Sequence, residues 1–427
     1  MKGSIDAVVG AQWGDEGKGR VADALGPEVD VFARFQGGAE GGHTVVAEGK
    51  KYVFKVLPSG MLYTGKICVI GNGAVIDPGA LLGELRGLQE QGRDRARLVI
   101  SYGAHVILPY HRSLALAREK LRGRRWEGGD GTGPACIDKY NRCGIRMEDL
   151  LDGDLLREKL ELNLEEKNLI LSRIYGVDPL SFDEVFEIAS EWGKALAPYA
   201  GDGGRVIGDA VRDGRRVMFE GINGALLDLD HGSYPYVAPC SPIAAAGCVS
   251  MGIGPGAVGR VIGVVKAYCT RGSEGPFPTE DGGGLGTFLA GKGGETVSLT
   301  GRPRRCGPLD LVALRYAAGI NGMTSMALTK LDVLSGLEKI PVCTAYELGG
   351  KREESYPPET RRLLTAKPVY EYFPGWKEDI SGCRSFEELP RSARAYVEFM
   401  EKFCGVPVGM IGVGPGRDQA IFRSLRG

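Results

Sequence analysis

The sequence predicts an α/β fold, a largely parallel central sheet flanked by helices, with helical insertions. Three observations point there. Short apolar runs end at glycine or polar loops. Stretches with helical spacing follow them. Glycine, at 67 of 427 residues, falls in clusters that mark tight loops around ligands rather than disorder.

The elements follow in chain order. "IDAVVG" reads as a strand closed by Gly10, and "GKGRVADAL" as the helix behind a glycine loop. A second strand ends at Gly71; Asp77 then caps a helix with Pro78 at its first position and Gly92 beyond its end. "RLVIS" is a short strand. Residues 109–122 and 146–200 read as mostly helical, and "SFDEVFEIASEWGKALAPY" is an amphipathic stretch opened by Ser181. "RVMFEG" (216–221), "RVIGVVKAY" (260–268), "SMALTKLD" (325–332) and "VGMIGVG" (408–414) are strands that end at polar or glycine loops. Ligands then belong at the carboxyl ends of the strands. With no internal repeat and no linker, the expectation is one domain over residues 1–427, with a helical insertion at about 110–205.

Composition narrows the function. Apolar content of 43% and charged content of 25% describe a globular chain. A net charge of −1 gives no support to nucleic-acid binding. No run of about 18 apolar residues exists, so no membrane span is expected. The first residues show no pattern of a secretory leader. Ten cysteines without any CxxC fit reduced thiols and a cytoplasmic setting.

Four stretches carry chemistry. "GAQWGDEGKGR" combines Gly10, Gly14, Gly17, Lys18 and Gly19 between a strand and a helix, which supplies amide donors and one cation to a phosphate. It departs from the usual P-loop: six residues separate Gly10 from Gly17, and Gly19 stands where Ser or Thr follows the lysine. The plainer reading is a glycine-rich turn with a solvated lysine. Asp15 and Glu16 sit inside this loop, where carboxylates oppose a phosphate. "MALTKLDVL" delivers Lys330 and Asp332 from a strand, like the base-specificity motif of GTP-binding proteins. A carboxylate accepts from the N1–H and 2-amino edge of guanine, a pair that adenine cannot donate. The plainer reading makes Asp332 a helix cap. "FQGGAEGGHTV" sets His43 among glycines, where it can donate to a developing oxyanion. His105 and His111 suit packing or surface roles, and His231 lies in a polar-aromatic loop suited to a pocket. "LTGRPRRCG" crowds Arg302, Arg304 and Arg305 together, either as a solvated basic loop or to capture carboxylate or phosphate.

Together these stretches resemble the adenylosuccinate synthetase family. The likeness runs nearly end to end: "QWGDEGKG" (12–19), "GGHT" (41–44), "LPSGML" (57–62), "IGNG" (70–73), "FEG" (219–221), "LLDLDHGSYPYV" (226–237), "KAY" and "TR" (266–271), "GPFPTE" (275–280), "TGR" (300–302) and "LTKLDVL" (328–334). The resemblance implies a P-loop-NTPase-like GTP site and a GTP-dependent ligase that couples IMP to L-aspartate. It also implies a homodimer that uses Mg2+. Asp15 would take the N1 proton and so push charge onto O6, which then attacks the γ-phosphate. His43 would act as the acid on the transferring phosphoryl group. Asn223 stands at the position of a family glutamine among the catalytic residues. Asp15 and the backbone of Gly42 would hold magnesium. Gly14, Glu16, Gly17, Lys18, Gly19, Lys330, Asp332, Gly414 and Gly416 fall to GTP. Arg142 matches the arginine that reaches across the dimer to the acceptor's 5′-phosphate. Thr300, Arg302 and Arg304 fall to the amino acid, and Glu40, Gly128 and Ala238 to the acceptor pocket.

Several of those positions depart from the family pattern. Glu40 replaces an Asn, Gly128 a phosphate-holding Thr, Asn223 a Gln, Ala238 and Leu299 a Thr each, and Pro303 an Arg. Glu127 and Asp130 bring negative charge to the acceptor's border, and like charge opposes a phosphate dianion. Two alternatives to the family reaction follow. One is the same GTP-driven activation of another oxo or hydroxy acceptor with a similar amine. The other is a GTP-binding homologue without ligase activity, against which the retained Asp15 and His43 argue.

Overall fold

The computed structural model describes residues 5–39, 42–47, 50–93, 95–123, 129–296 and 303–425, with the backbone alone at 43–47, 50 and 51. Its centre is a ten-stranded sheet. Across it the strands run Ala420–Phe422, Val408–Gly412, Ser325–Thr329, Val258–Lys266, Ile5–Gly10, Val217–Glu220, Val31–Arg34, Ile67–Ile70, Arg97–Ser101 and Ala200–Gly201. Every pairing is parallel except at the edge made by the last strand in sequence, where Met410 faces Phe422 in antiparallel register.

Two cores sandwich this sheet, and the strands feed both by alternation. Ile5, Ala7, Val9, Val31, Ala33, Val217 and Phe219 point to one side. Val8, Phe32, Cys68, Ile70 and Met218 point to the other. The first side is closed by the helices Gly203–Arg212, Ala244–Met251, Leu311–Asn321 and Arg391–Cys404. The second is closed by Lys18–Leu25, Pro78–Glu90, Pro109–Arg122, Gly153–Leu169 and Phe182–Leu196.

The expected caps are present. Asp77 accepts from the amide of Ala80 at 3.1 Å ahead of Pro78. Ser181 accepts from Glu184 at 3.5 Å. The stretch expected to be helical over 146–200 is two helices, because Asp152 starts one and Ser181 the next. The helical insertion is a crossover connection: it leaves the strand Arg97–Ser101 and returns as its sheet neighbour Ala200–Gly201. Three features lie outside the sequence reading. They are the hairpin His43–Ala47 with Lys50–Phe54, the antiparallel edge Ala420–Phe422, and a second sheet built on Lys339–Leu348. All ten cysteines are free thiols, and among the described residues no helix is long and apolar enough to cross a membrane.

Candidate active site

The site forms where four neighbouring strands end. Ile5–Gly10 releases the loop 11–17, Val217–Glu220 the loop at Asn223, Val258–Lys266 the segment through Tyr268, and Ser325–Thr329 the turn at Lys330. The loops press together. A Cβ on Gly224 would lie 2.3 Å from the carbonyl of Gln12 and 2.4 Å from the amide of Gly14, so only glycine fits there. The Thr329 hydroxyl donates to the Glu16 carbonyl at 2.5 Å and ties the first loop to the fourth.

The two carboxylates of the opening loop part company. Glu16 turns inward and accepts from the amides of Gln12 at 3.0 Å and Gly14 at 2.9 Å and from Lys18 Nζ at 2.7 Å. Its buried carboxylate is an internal counter-anion within the loop. Asp15 turns outward, with 42% of its side chain exposed, and meets Arg304 Nη2 at 3.0 Å. Gly17, at φ 93°, opens the helix Lys18–Leu25.

Among the described residues, four that are not glycine have positive φ: Asp15 at 60°, Arg142 at 63°, Asn223 at 59° and Lys330 at 57°. Such backbone is strained for L-residues and clusters at functional sites. All four are residues that the sequence singles out. Buried polar atoms without partners beside them include Asp332 Oδ1 and Asn223 Nδ2. Burial raises the Asp332 carboxyl above its ordinary value, opposed by Arg20, Lys330 and Lys292. Arg20 donates to the carbonyls of Gly416 at 3.1 Å and Gln419 at 2.7 Å, which brings the Gly414–Gly416 loop to the same corner.

A family model for adenylosuccinate synthetase matches residues 7–421. The chain belongs to the adenylosuccinate synthetase family. It is similar to the adenylosuccinate synthetase of Pelotomaculum thermopropionicum, 49% identical over 98% of each chain. The fully ligated adenylosuccinate synthetase of Plasmodium falciparum superimposes with a TM-score of 0.92, at 35% identity over 99% of this chain and 100% of that one. A cyanophage S-2L succinoaminodeoxyadenylate synthetase shares the fold, with a TM-score of 0.63 at 20% identity over 99% of this chain and 96% of that one. As a member of the adenylosuccinate synthetase family the chain is a GTP-dependent carbon–nitrogen ligase.

The structure brings together most of the residues picked out for this family's chemistry. Gly14, Asp15, Glu16, Gly17, Lys18, Gly19, Asn223, Arg304, Lys330, Asp332, Gly414 and Gly416 line one side of the sheet's carboxyl edge. Arg142 lies apart on an exposed turn that ends the helix Thr132–Asn141. Ala238 sits in a loop organised by the buried Asp228, which accepts from the amides of Asp230 and His231 at 2.9 Å each. Gly42 is exposed, and His43 opens a hairpin strand opposite Phe54. Glu40, Glu127, Gly128, Leu299, Thr300 and Arg302 lie outside the described residues.

Three expectations need correcting. Lys18 is buried and paired with Glu16, so the solvated lysine of the plainer reading does not hold. The basic cluster is split: Arg305 donates to Glu280 and to the carbonyls of Ser273 and Gly275, so it braces a neighbouring loop. His231 is exposed rather than lining a pocket. His105 and His111 are buried, as expected of packing residues. Sequence reasoning missed Arg20 and Glu295. Arg20 carries a visible signal, since it falls in the first turn of the helix behind the phosphate loop.

Proposed function

We propose that the chain joins IMP to L-aspartate with hydrolysis of GTP, giving adenylosuccinate, GDP and phosphate, on the residues placed above. One observation carries the reading. Asp15, Asn223 and Lys330 are held in left-handed backbone at adjoining strand ends, next to a buried, unpartnered Asp332 oxygen. Asp332 has the acceptor chemistry for the guanine edge. Asp15, outside the loop's internal ion pair, takes the N1 proton of the purine. Charge then gathers on O6, which forms a bond to the γ-phosphorus as the bond to GDP breaks. The donor's amine displaces the resulting phosphate at C6. Arg304 has the fork geometry for the donor's carboxylate, and His43 stands as the donor to the transferring group.

Magnesium fits the donor set. Among the described residues no three His, Cys, Asp or Glu come together to hold a metal. Mg2+ does not need them: it takes one or two carboxylates, keeps waters and binds phosphate oxygens. Asp15 and the Gly42 backbone would hold it, and it would supply positive charge to phosphate oxygens.

A second reading keeps the GTP chemistry but changes the acceptor. Asp130 folds its carboxylate onto the amide of Thr132 at 2.9 Å and its hydroxyl at 3.0 Å. An anion from the chain therefore already fills that helix N-terminus, and Ala238 offers no hydroxyl. Both favour an acceptor without a 5′-phosphate. The test is GTP-dependent phosphate release with aspartate and either IMP or inosine. Turnover with IMP and none with inosine supports the first reading; the reverse supports the second. Silence with both excludes IMP and inosine alike as the acceptor. Asp15→Asn is expected to abolish ligation while GDP still binds in the absence of magnesium, and full turnover in that variant rules out Asp15 as the base.

A further inference from the structure

Glu295 has no task in the reaction as described, yet four cationic or phenolic groups converge on it. Its side chain is 2% exposed. Oε1 accepts from Lys266 Nζ at 2.9 Å, Tyr268 OH at 2.6 Å and Lys330 Nζ at 2.6 Å. Oε2 lies 3.5 Å from Arg304 Nη1, and the other arm of that guanidinium, Nη2, lies 3.0 Å from Asp15. Burial alone would raise the Glu295 carboxyl; Lys266 and Lys330 outweigh it and hold the group at about 2.

A structural ion pair needs one cation, and Lys266, 1% exposed at its side chain, already fills that need. The other two cations lead outward. Lys330 keeps 33% of its side chain exposed and Arg304 13%. Lys330 is also fixed by the Gly293 carbonyl at 2.7 Å, and its left-handed backbone aims Asp332 two residues on. One buried carboxylate thus grips the lysine of the guanine corner and the arginine that meets Asp15.

We propose that Glu295 is a positioning residue that sets Lys330 and Arg304 together, tying the grip on the guanine nucleotide to the arginine beside the base. This rests on the roles given above to Lys330, Asp332 and Arg304.

The test uses the full chain, with GDP affinity by calorimetry and KM for GTP, aspartate and acceptor. Glu295→Gln is expected to weaken GDP about tenfold, the scale of one lost charged hydrogen bond. KM for aspartate rises with it, and KM for the acceptor stays unchanged. In a Lys330→Met background the same substitution adds less than about twofold to the GDP dissociation constant, because its route of action is gone. A purely structural Glu295 would lower the melting temperature and leave GDP affinity alone, or weaken it equally in both backgrounds; either result overturns the proposal. Should Glu295→Gln fail to fold, Glu295→Gln/Lys266→Met, which removes the buried cation with its partner, is compared with Lys266→Met and judged by the same criteria. A parent protein that holds ATP as tightly as GTP would defeat the guanine-clamp reading itself, and that is measured before any variant is made.

Discussion

At the scale of single residues, strain and orphaned polarity mark the site better than residue type does. Lysine, asparagine, aspartate and arginine occur all along the chain, but among the described residues the left-handed ones are Asp15, Arg142, Asn223 and Lys330. Holding an L-residue there costs on the order of 1–2 kcal/mol, which the fold tolerates only where the surroundings dictate it. Asp332 shows the second signature, a buried oxygen without a donor. Asp332→Asn is expected to lower GDP affinity about 10- to 100-fold, the loss of a charged hydrogen-bond acceptor, while stability holds or rises. Calorimetry with GDP decides it; equal affinity in parent and variant removes Asp332 from the nucleotide site.

At the scale of elements, local chemistry wrote the helix starts into the sequence. Asp77 before Pro78 supplies both the acceptor and the preset φ that open Pro78–Glu90. Its second oxygen also takes Arg112 from the helix Pro109–Arg122. Asp77→Ala is expected to destabilise the protein by about 1 kcal/mol through the lost cap, with little added by the half-exposed arginine pair. A urea titration should show a lower midpoint at unchanged slope; an unchanged midpoint would mean that the cap is redundant. The parallel strands were legible for a related reason. Both faces are buried, so each reads as an apolar run closed by a loop. The hairpin at 43–54 and the sheet on Lys339–Leu348 were not. The hairpin pairs antiparallel, the second sheet mixes one parallel pair with antiparallel ones, and Pro341 interrupts the strand pattern of Lys339–Leu348.

At the scale of the whole molecule, a buried carboxyl ties the second sheet to a helix that packs on the central one. Asp310 caps the helix Leu311–Asn321 through Ala313 at 3.0 Å and accepts from Tyr346 of the second sheet at 2.7 Å. Burial raises its carboxyl to about 6. The folded chain therefore holds this proton more tightly than the unfolded one. Its contribution is present below about pH 4 and is lost as pH rises through about 6, a change of about 2–3 kcal/mol. Asp310→Asn is expected to flatten the dependence of the unfolding midpoint on pH over that window. Parent and variant curves of equal slope would show that Asp310 does not carry it.

What the sequence determined by itself is what short-range chemistry and ordered motifs can encode. Each strand run, each cap, the glycine loop and the Lys330–Asp332 pair is encoded within a few consecutive residues, and the order of such motifs along the chain carries family membership. Tertiary structure alone decided which partners those groups keep. Glu16 and Asp15 are adjacent in sequence, yet one is an internal counter-anion and the other faces Arg304, 289 positions away. Glu295 looks like any acidic residue until folding buries it among Lys266, Tyr268, Lys330 and Arg304. The reason is physical: a charge acts through distance and local dielectric, and both are set only when remote segments pack.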